Sequence, residues 1–337
     1  MKTATIAKLV IILCILALFV GFFNIDKDSL YGETAINHST GKNIISNVNK
    51  IAVMELEGTI VSSYESGFFS KEANASNLLK SLKSAAIDNN IRGIIIKINS
   101  PGGTVAMSQN IYNQILSIRK NKPVVVVFDD VAASGGYYIA SAADRIIAQN
   151  GSLTGSIGVI FSFMDYHNLL ADKLSVKPVV IKSGKYKDIG SGLRQMTEEE
   201  RKLMQNIIND SYNQFIEAIT VGRINRTDKY SVQKTELKKN VLTENADGRI
   251  FTGRQAYKLG FVDTIGDIDT AQNMIEKMAQ EKFNNLYSAK LVNYNKKSTF
   301  SEYFSSFTEY GAKNNIKITD FLPTSMILNR KPLYLWE

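Results

Sequence analysis

The sequence predicts an α/β fold, and three features carry that reading. Two runs of mostly branched apolar residues, 91–98 (IRGIIIKI) and 124–128 (VVVVF), have the near-continuous hydrophobicity of strands buried on both faces of a parallel sheet. Segments 75–87 and about 107–119, which precede these runs, place apolar residues at helical spacing. Strand and helix thus alternate as in βαβ units. The 337 residues are 44% hydrophobic and 21% charged, a balance that belongs to packed chains and excludes a disordered one.

Taken in order, residues 24–49 are polar and unpatterned and read as a linker. Residues 51–56 (IAVMEL) read as the first strand. The helix over 75–87 carries Leu78, Leu79, Leu82, Ala85 and Ala86 on one side. The strand over 91–98 closes on Asn99-Ser100-Pro101-Gly102-Gly103, whose Pro and Gly punctuate a turn. The 124–128 strand runs into Asp130-Val131-Ala132-Ala133-Ser134-Gly135-Gly136, followed by a helical pattern over 138–143. A short strand is expected at 178–181. Thr197 with Glu200 three residues on forms a capping box. It opens a helix to about 221, with Leu203, Ile207, Tyr212, Phe215 and Ile219 expected on its buried side. Residues 248–266 read as loop and helix, and 268–278 as an amphipathic helix. Residues 283–337 are less regular.

The N-terminus sets the compartment. Residues 9–23 contain no charged or strongly polar side chain, Lys2 and Lys8 precede them, and no small-x-small cleavage site follows. The reading is an uncleaved anchor with its N-terminus in the cytoplasm and the rest of the chain outside. Single Cys14 excludes an internal disulfide framework, and two His with one Cys are too few for a structural zinc site. The net charge of +8 is dispersed, with no run of five Lys/Arg and no zinc-finger spacing, so no nucleic-acid partner is expected. A basic surface does attract anionic membrane lipid.

The chemistry concentrates after the second and third strands. Ser134 falls at a strand-to-helix turn, where a serine serves as a helix N-cap or as an exposed nucleophile. In a parallel sheet the turns at 99–103 and 130–136 both lie at the carboxyl ends of strands, where ligands bind. The N–H of Gly135 with that of Gly103 (or Gly102) would then form an oxyanion hole. A serine nucleophile needs a base. His38 lies in the linker and His167 at a helix start, so a Ser-His-Asp triad is poorly supported. Lys182, Lys185 and Lys187 remain, in Lys-Ser-Gly-Lys-Tyr-Lys-Asp (182–188). A lysine base acts only when neutral, and function near pH 7 asks for a shift of roughly three units from about 10.4. The residues themselves do not choose among the three.

The segments 99–103 (NSPGG), 130–144 (DVAASGGYYIASAAD), 153–159 (LTGSIGV), 182–188 (KSGKYKD) and 247–256 (DGRIFTGRQA) together resemble the bacterial signal peptide peptidase A family in its short form. The resemblance spans residues 48 to about 280. It implies a Clp/crotonase-like α/β spiral of ββα units, here with one N-terminal transmembrane helix. It implies Ser134 as nucleophile, Lys187 as general base and Ser156 as the residue that orients the lysine amine. It also implies a ring-shaped homo-oligomer, thought to be an octamer, whose sites take Ser and Lys from neighbouring copies. The implied substrates are remnant signal peptides and other hydrophobic peptides, with no metal or organic cofactor. The expected organisation is an anchor (1–25), a linker (26–47), a peptidase domain (48–282) and a C-terminal extension (283–337). A crotonase-like acyl-thioester enzyme would use the same paired N–H groups, but without Ser134, Lys187 or an anchor. A non-catalytic scaffold would need none of Ser134, Ser156 or Lys187.

Overall fold

The computed structural model describes residues 49–62, 74–284 and 289–294; the expected anchor and linker lie outside them, as does most of the expected extension. The sheet begins with β1 (Lys50–Glu57), β2 (Ile91–Ser100) and β3 (Val124–Ala133), side by side and parallel. Helix α1 (Asn74–Ile87) crosses between the first two strands and α2 (Val105–Ile118) between the second and third. The side chains alternate as the pleat demands. Met54, Ile94, Ile96, Val126 and Phe128 face a large core shared with these helices, while Ile51, Ile95, Val125 and Val127 face a second. That second core is closed by α7 (Ile268–Phe283) through Ala271, Met274, Ile275 and Met278. Burial on both faces explains the unbroken apolar runs.

Strand β3 extends past the expected 128 to Ala133, and its outer edge is divided. Residues 125–128 pair with β4 (Arg145–Ala148), and residues 131–133 pair with β5 (Leu153–Gly155). Between Ile98 and Ser100 the register with β2 slips, which bends the strand away from the sheet body. Beyond β5 lies antiparallel β6 (Ile250–Thr252); β7 (Thr264–Ile265) follows β4. At the opposite edge β8 (Lys290–Asn293) pairs in parallel with β1. This strand comes from the stretch past residue 282 that the sequence marks as irregular.

Helix α4 (Glu198–Ile219) begins at the expected capping box: Thr197 Oγ1 accepts from the Glu200 N–H, and the Thr197 N–H donates to the Glu200 carboxylate. Its C-terminal half packs Phe215 and Ile219 into the core, but Leu203 is 39% and Ile207 51% exposed, contrary to expectation. In the first half it is Met204 and Ile208, partly buried, that line a cavity with Phe161, Phe163 and Met164, while Leu203 and Ile207 turn outward. The strand expected at 178–181 is absent as well. Val179 is 86% and Ile181 96% exposed, and no strand among the described residues offers that backbone a partner. The remaining helices are α3 (Gly135–Ser141), α5 (Lys239–Asn245) and α6 (Gly253–Leu259).

Behind β4 the Asp263 carboxylate, fully buried, accepts from Arg223 at 2.6 and 2.9 Å and from the Ile146 and Thr235 N–H groups at 2.8 and 3.1 Å. Burial alone would raise this carboxyl, but Arg223 outweighs it and holds it below the usual range. A depressed acid stabilises the fold above that range and loses its contribution as pH falls through it. Asp263→Asn leaves the Arg223 charge buried and unpaired, a loss of about 3–5 kcal/mol in denaturant unfolding at neutral pH. The deficit should shrink as the pH is lowered below about 4.

Candidate active site

The turn after β2 is built around Ile60. The Ile60 N–H donates to the Gly102 carbonyl (2.9 Å), and the Thr104 N–H donates to the Ile60 carbonyl (2.8 Å). These bonds use the groups flanking Gly103, so its own N–H is left facing away from Ile60. A Cβ on Gly103 would lie 2.1 Å from the Ile60 carbonyl oxygen, so only glycine fits. Gly102, at φ +111°, runs just beneath the next turn.

That next turn holds Ser134 at φ +51°, ψ −119°, a strained conformation for a residue with a side chain. Its N–H donates to the Gly155 carbonyl (2.9 Å), and its carbonyl accepts from the Tyr138 N–H (2.9 Å) to start α3. Ser134 therefore occupies the N-cap position, yet its hydroxyl makes no capping bond. The side chain is half-buried and left for other chemistry. The N–H of Gly103 lies 3.3 Å from where a Cβ on Gly135 would stand, which brings the two glycine turns to one point. No acceptor among the described residues takes the N–H of Gly103 or Gly135.

Ser134, Gly135 and Gly103 line a groove of about 840 Å³ together with Ser156. Ser156 follows β5, also at positive φ (+49°), with its N–H on the Arg249 carbonyl (2.8 Å). The groove walls are largely apolar: Val61, Val105, Tyr138, Val159, Ile160 and Phe215. Tyr138 is wedged between Phe215 (ring centroids 4.9 Å) and Tyr112 (5.1 Å). These wall residues were not marked as functional by the sequence, where each reads as ordinary core; only the fold assembles them.

Among the described residues no lysine or histidine lines this groove. Among those residues its one carboxylate is Asp247, which accepts from Arg249 at 2.6 and 2.8 Å. Those bonds hold its pKa down to about 2, so it is a weak base for a serine hydroxyl. His167 lies elsewhere, half-buried and paired with Asp165. The three lysines all sit on an exposed loop outside the groove. Lys182 pairs with Asp188 (2.6 Å) and Lys185 with Glu199, whereas Lys187 has no ion pair among the described residues. Among those residues, no three His, Cys, Asp or Glu side chains come close enough to hold a metal ion.

A strained serine with a free hydroxyl, set beside paired N–H groups at the carboxyl edge of an α/β sheet, is the arrangement of a serine hydrolase. Comparison with known proteins makes that class specific. The profile of peptidase family S49 matches residues 117–282, and that of Clp protease matches 56–151. A protein assigned as signal peptide peptidase SppA in Enterococcus faecium is 36% identical over 249 residues, covering 73% of this chain and 68% of the relative. A protease of Synechocystis is 38% identical over 230 residues (68% and 74%). Protease 4 of Haemophilus influenzae is 30% identical over 235 residues, which are 69% of this chain but 35% of that longer protein. The chain belongs to peptidase family S49 and is a serine peptidase.

A Cβ on Gly102 would lie 2.8 Å from Ser134 Cβ and 3.0 Å from Gly135 N, at a φ that disfavours any side chain. Gly102→Ala is therefore expected to slow fluorophosphonate labelling about tenfold or more while the circular dichroism spectrum stays unchanged. Labelling at the wild-type rate would show that the two turns do not act together.

Proposed function

We propose that this peptidase cleaves hydrophobic peptides, remnant signal peptides among them, with Ser134 as nucleophile and Lys187 of a neighbouring copy as general base. The observation that carries this reading is the composition of the groove: nucleophile and N–H donors are present, and no competent base is found there among the described residues. Of the three loop lysines, Lys187 is the one not already engaged by a carboxylate. The loop belongs to a stretch with Ile160, Val179, Val180 and Ile181 exposed, apolar surface of the kind that a second copy covers. The same arrangement fits a Clp/crotonase-like spiral assembled as a ring, for which we adopt eight copies.

In this scheme the neutral Lys187 amine takes the proton from Ser134 Oγ as that oxygen attacks the peptide carbonyl. The N–H groups of Gly103 and Gly135 receive the developing oxyanion, and Ser156 orients the amine. The ammonium then protonates the departing amine, leaving an acyl-enzyme. A water, deprotonated by the same lysine, releases the acid and restores the serine. The apolar walls at Val105, Tyr138 and Phe215 favour apolar side chains beside the scissile bond. The name of the Enterococcus faecium relative supports signal peptides as substrates. Among the described residues no helix is long and apolar enough to cross a membrane. We assign anchoring to residues 1–25, which puts the peptidase domain at the outer face of the cytoplasmic membrane, close to its substrates and to lipid.

Ser134→Ala and Lys187→Ala should each lower peptide cleavage by at least about a thousandfold with assembly intact, and Lys185→Ala by less than about threefold. Full activity in Lys187→Ala would sink the base assignment. When the two inactive proteins exchange subunits in equal amounts, about a quarter of the sites should become complete. No recovery would mean that each copy builds its own site.

A further inference from the structure

We infer that Asp188 and Arg194 are positioning residues that hold the Lys187 loop in its working geometry, an inference that rests on Lys187 being the base. Residues 177–187 are all exposed, so the hydrophobic core does nothing to order them. A base on such a loop would sample many positions, whereas proton transfer asks for placement within about 0.5 Å. Something other than burial has to fix it.

The structure supplies a chain of ion pairs that begins at the residue next to Lys187. The Asp188 carboxylate accepts from Lys182 Nζ (2.6 Å) and from both Arg194 Nε and Nη2 (2.9 and 2.7 Å). Arg194 turns its other edge to Glu200, donating from Nη1 at 2.8 Å and from Nη2 at 2.5 Å. Glu200 stands in the first turn of α4 and closes the capping box with Thr197. Lys182 Nζ also donates to the Lys185 carbonyl (3.0 Å), which ties off the near side of the loop. Successive turns follow, with the N–H groups of Lys187, Ile189 and Ser191 on the carbonyls of Gly184, Tyr186 and Asp188. On the far side Gly190 packs so close to the Phe163 ring that a Cβ there would meet it at 2.5 Å. The loop is thereby fastened on both sides of Lys187 to the end of a long helix.

Ion pairs on a surface usually contribute little. This chain differs in geometry and burial. One guanidinium forks two carboxylates, and the Asp188 and Glu200 side chains are 11% and 3% exposed. A device of this kind costs little stability if lost, because no core packing depends on it. It does cost placement, and a displacement of about 1 Å at a reacting group lowers turnover about a hundredfold.

The test uses the full-length enzyme. Asp188→Asn is nearly isosteric, and Arg194→Gln removes the fork from the other end should the first variant assemble poorly. Each should lower kcat about ten- to a hundredfold with KM within about threefold and the melting temperature unchanged. Lys185→Ala, outside the chain, should leave kcat close to wild type. Subunit exchange then assigns the defect to one half of the site. Asp188→Asn carries an intact serine, so mixing with Ser134→Ala should complete about a quarter of the sites, while mixing with Lys187→Ala should recover nothing. Wild-type kcat in both variants overturns the inference. So does rescue by Lys187→Ala, or rescue by neither partner while Ser134→Ala and Lys187→Ala rescue each other. If that last pair fails to recover, the shared site is what falls, and the kcat-against-KM split of the two variants decides positioning alone. If Lys187→Ala is fully active, the base falls and the positioning role falls with it.

Discussion

The hydrogen bond from the Ser134 N–H to the Gly155 carbonyl, at 2.9 Å, is the constraint on which the groove depends. It pins the strained turn at the end of β3 to the end of β5. The residue that follows that second strand is Ser156, so the same bond fixes the two serines relative to one another. The bond exists because β3 runs on past the body of the sheet and finds β5 on its outer edge after β4 has ended. A side chain is disfavoured at Gly102 beneath and at Gly135 beyond, where a Cβ would meet Ser134 Cβ at 2.8 Å and the Ser108 hydroxyl at 2.5 Å.

Helix α4 gives the molecule a second organising element. Near its C-terminus the Phe215 ring packs at a tilt of 50° against Tyr138 in the wall of the chain's own groove. Its first turn anchors Arg194, and through it Asp188 and the loop that carries Lys187. At 22 residues the helix is about 33 Å long. If Lys187 serves a neighbouring copy, each α4 reaches from one groove to the next, and the exposed apolar residues of its first half lie on that route.

The strands that build the scaffold were legible because burial on both faces leaves an unbroken apolar run, as in VVVVF. Strands β4 and β5 were not, since four and three residues carry no periodicity. At 178–181 the apolar run was read as a strand, but a strand also needs a neighbour, which no local pattern reveals. Leu203 and Ile207 show the same limit on a helix: the spacing marks an apolar stripe, but Met204 and Ile208 beside it are the residues that meet Phe161, Phe163 and Met164. At the site, Ser134 and the paired glycines could be argued from turn chemistry alone. The three lysines could not be ranked from their own residues; the family resemblance singled out Lys187, and the pairs of Lys182 with Asp188 and Lys185 with Glu199 depend on geometry that spacing in sequence does not reveal.

Strand β1 has β2 on one side and β8 on the other, and β8 pairs Lys290 with Lys50. A ribosome releases Lys50 long before Lys290. Through that interval the outer edge of β1 presents unpaired backbone groups, and any extended peptide can dock on them. Contacts so distant in sequence also form slowly. The sheet is thus finished only after residues 290–293 have been synthesised, some 240 residues after β1 begins. A chain that carries β1 and β2 but stops short of residue 290 leaves the outer edge of β1 unpaired.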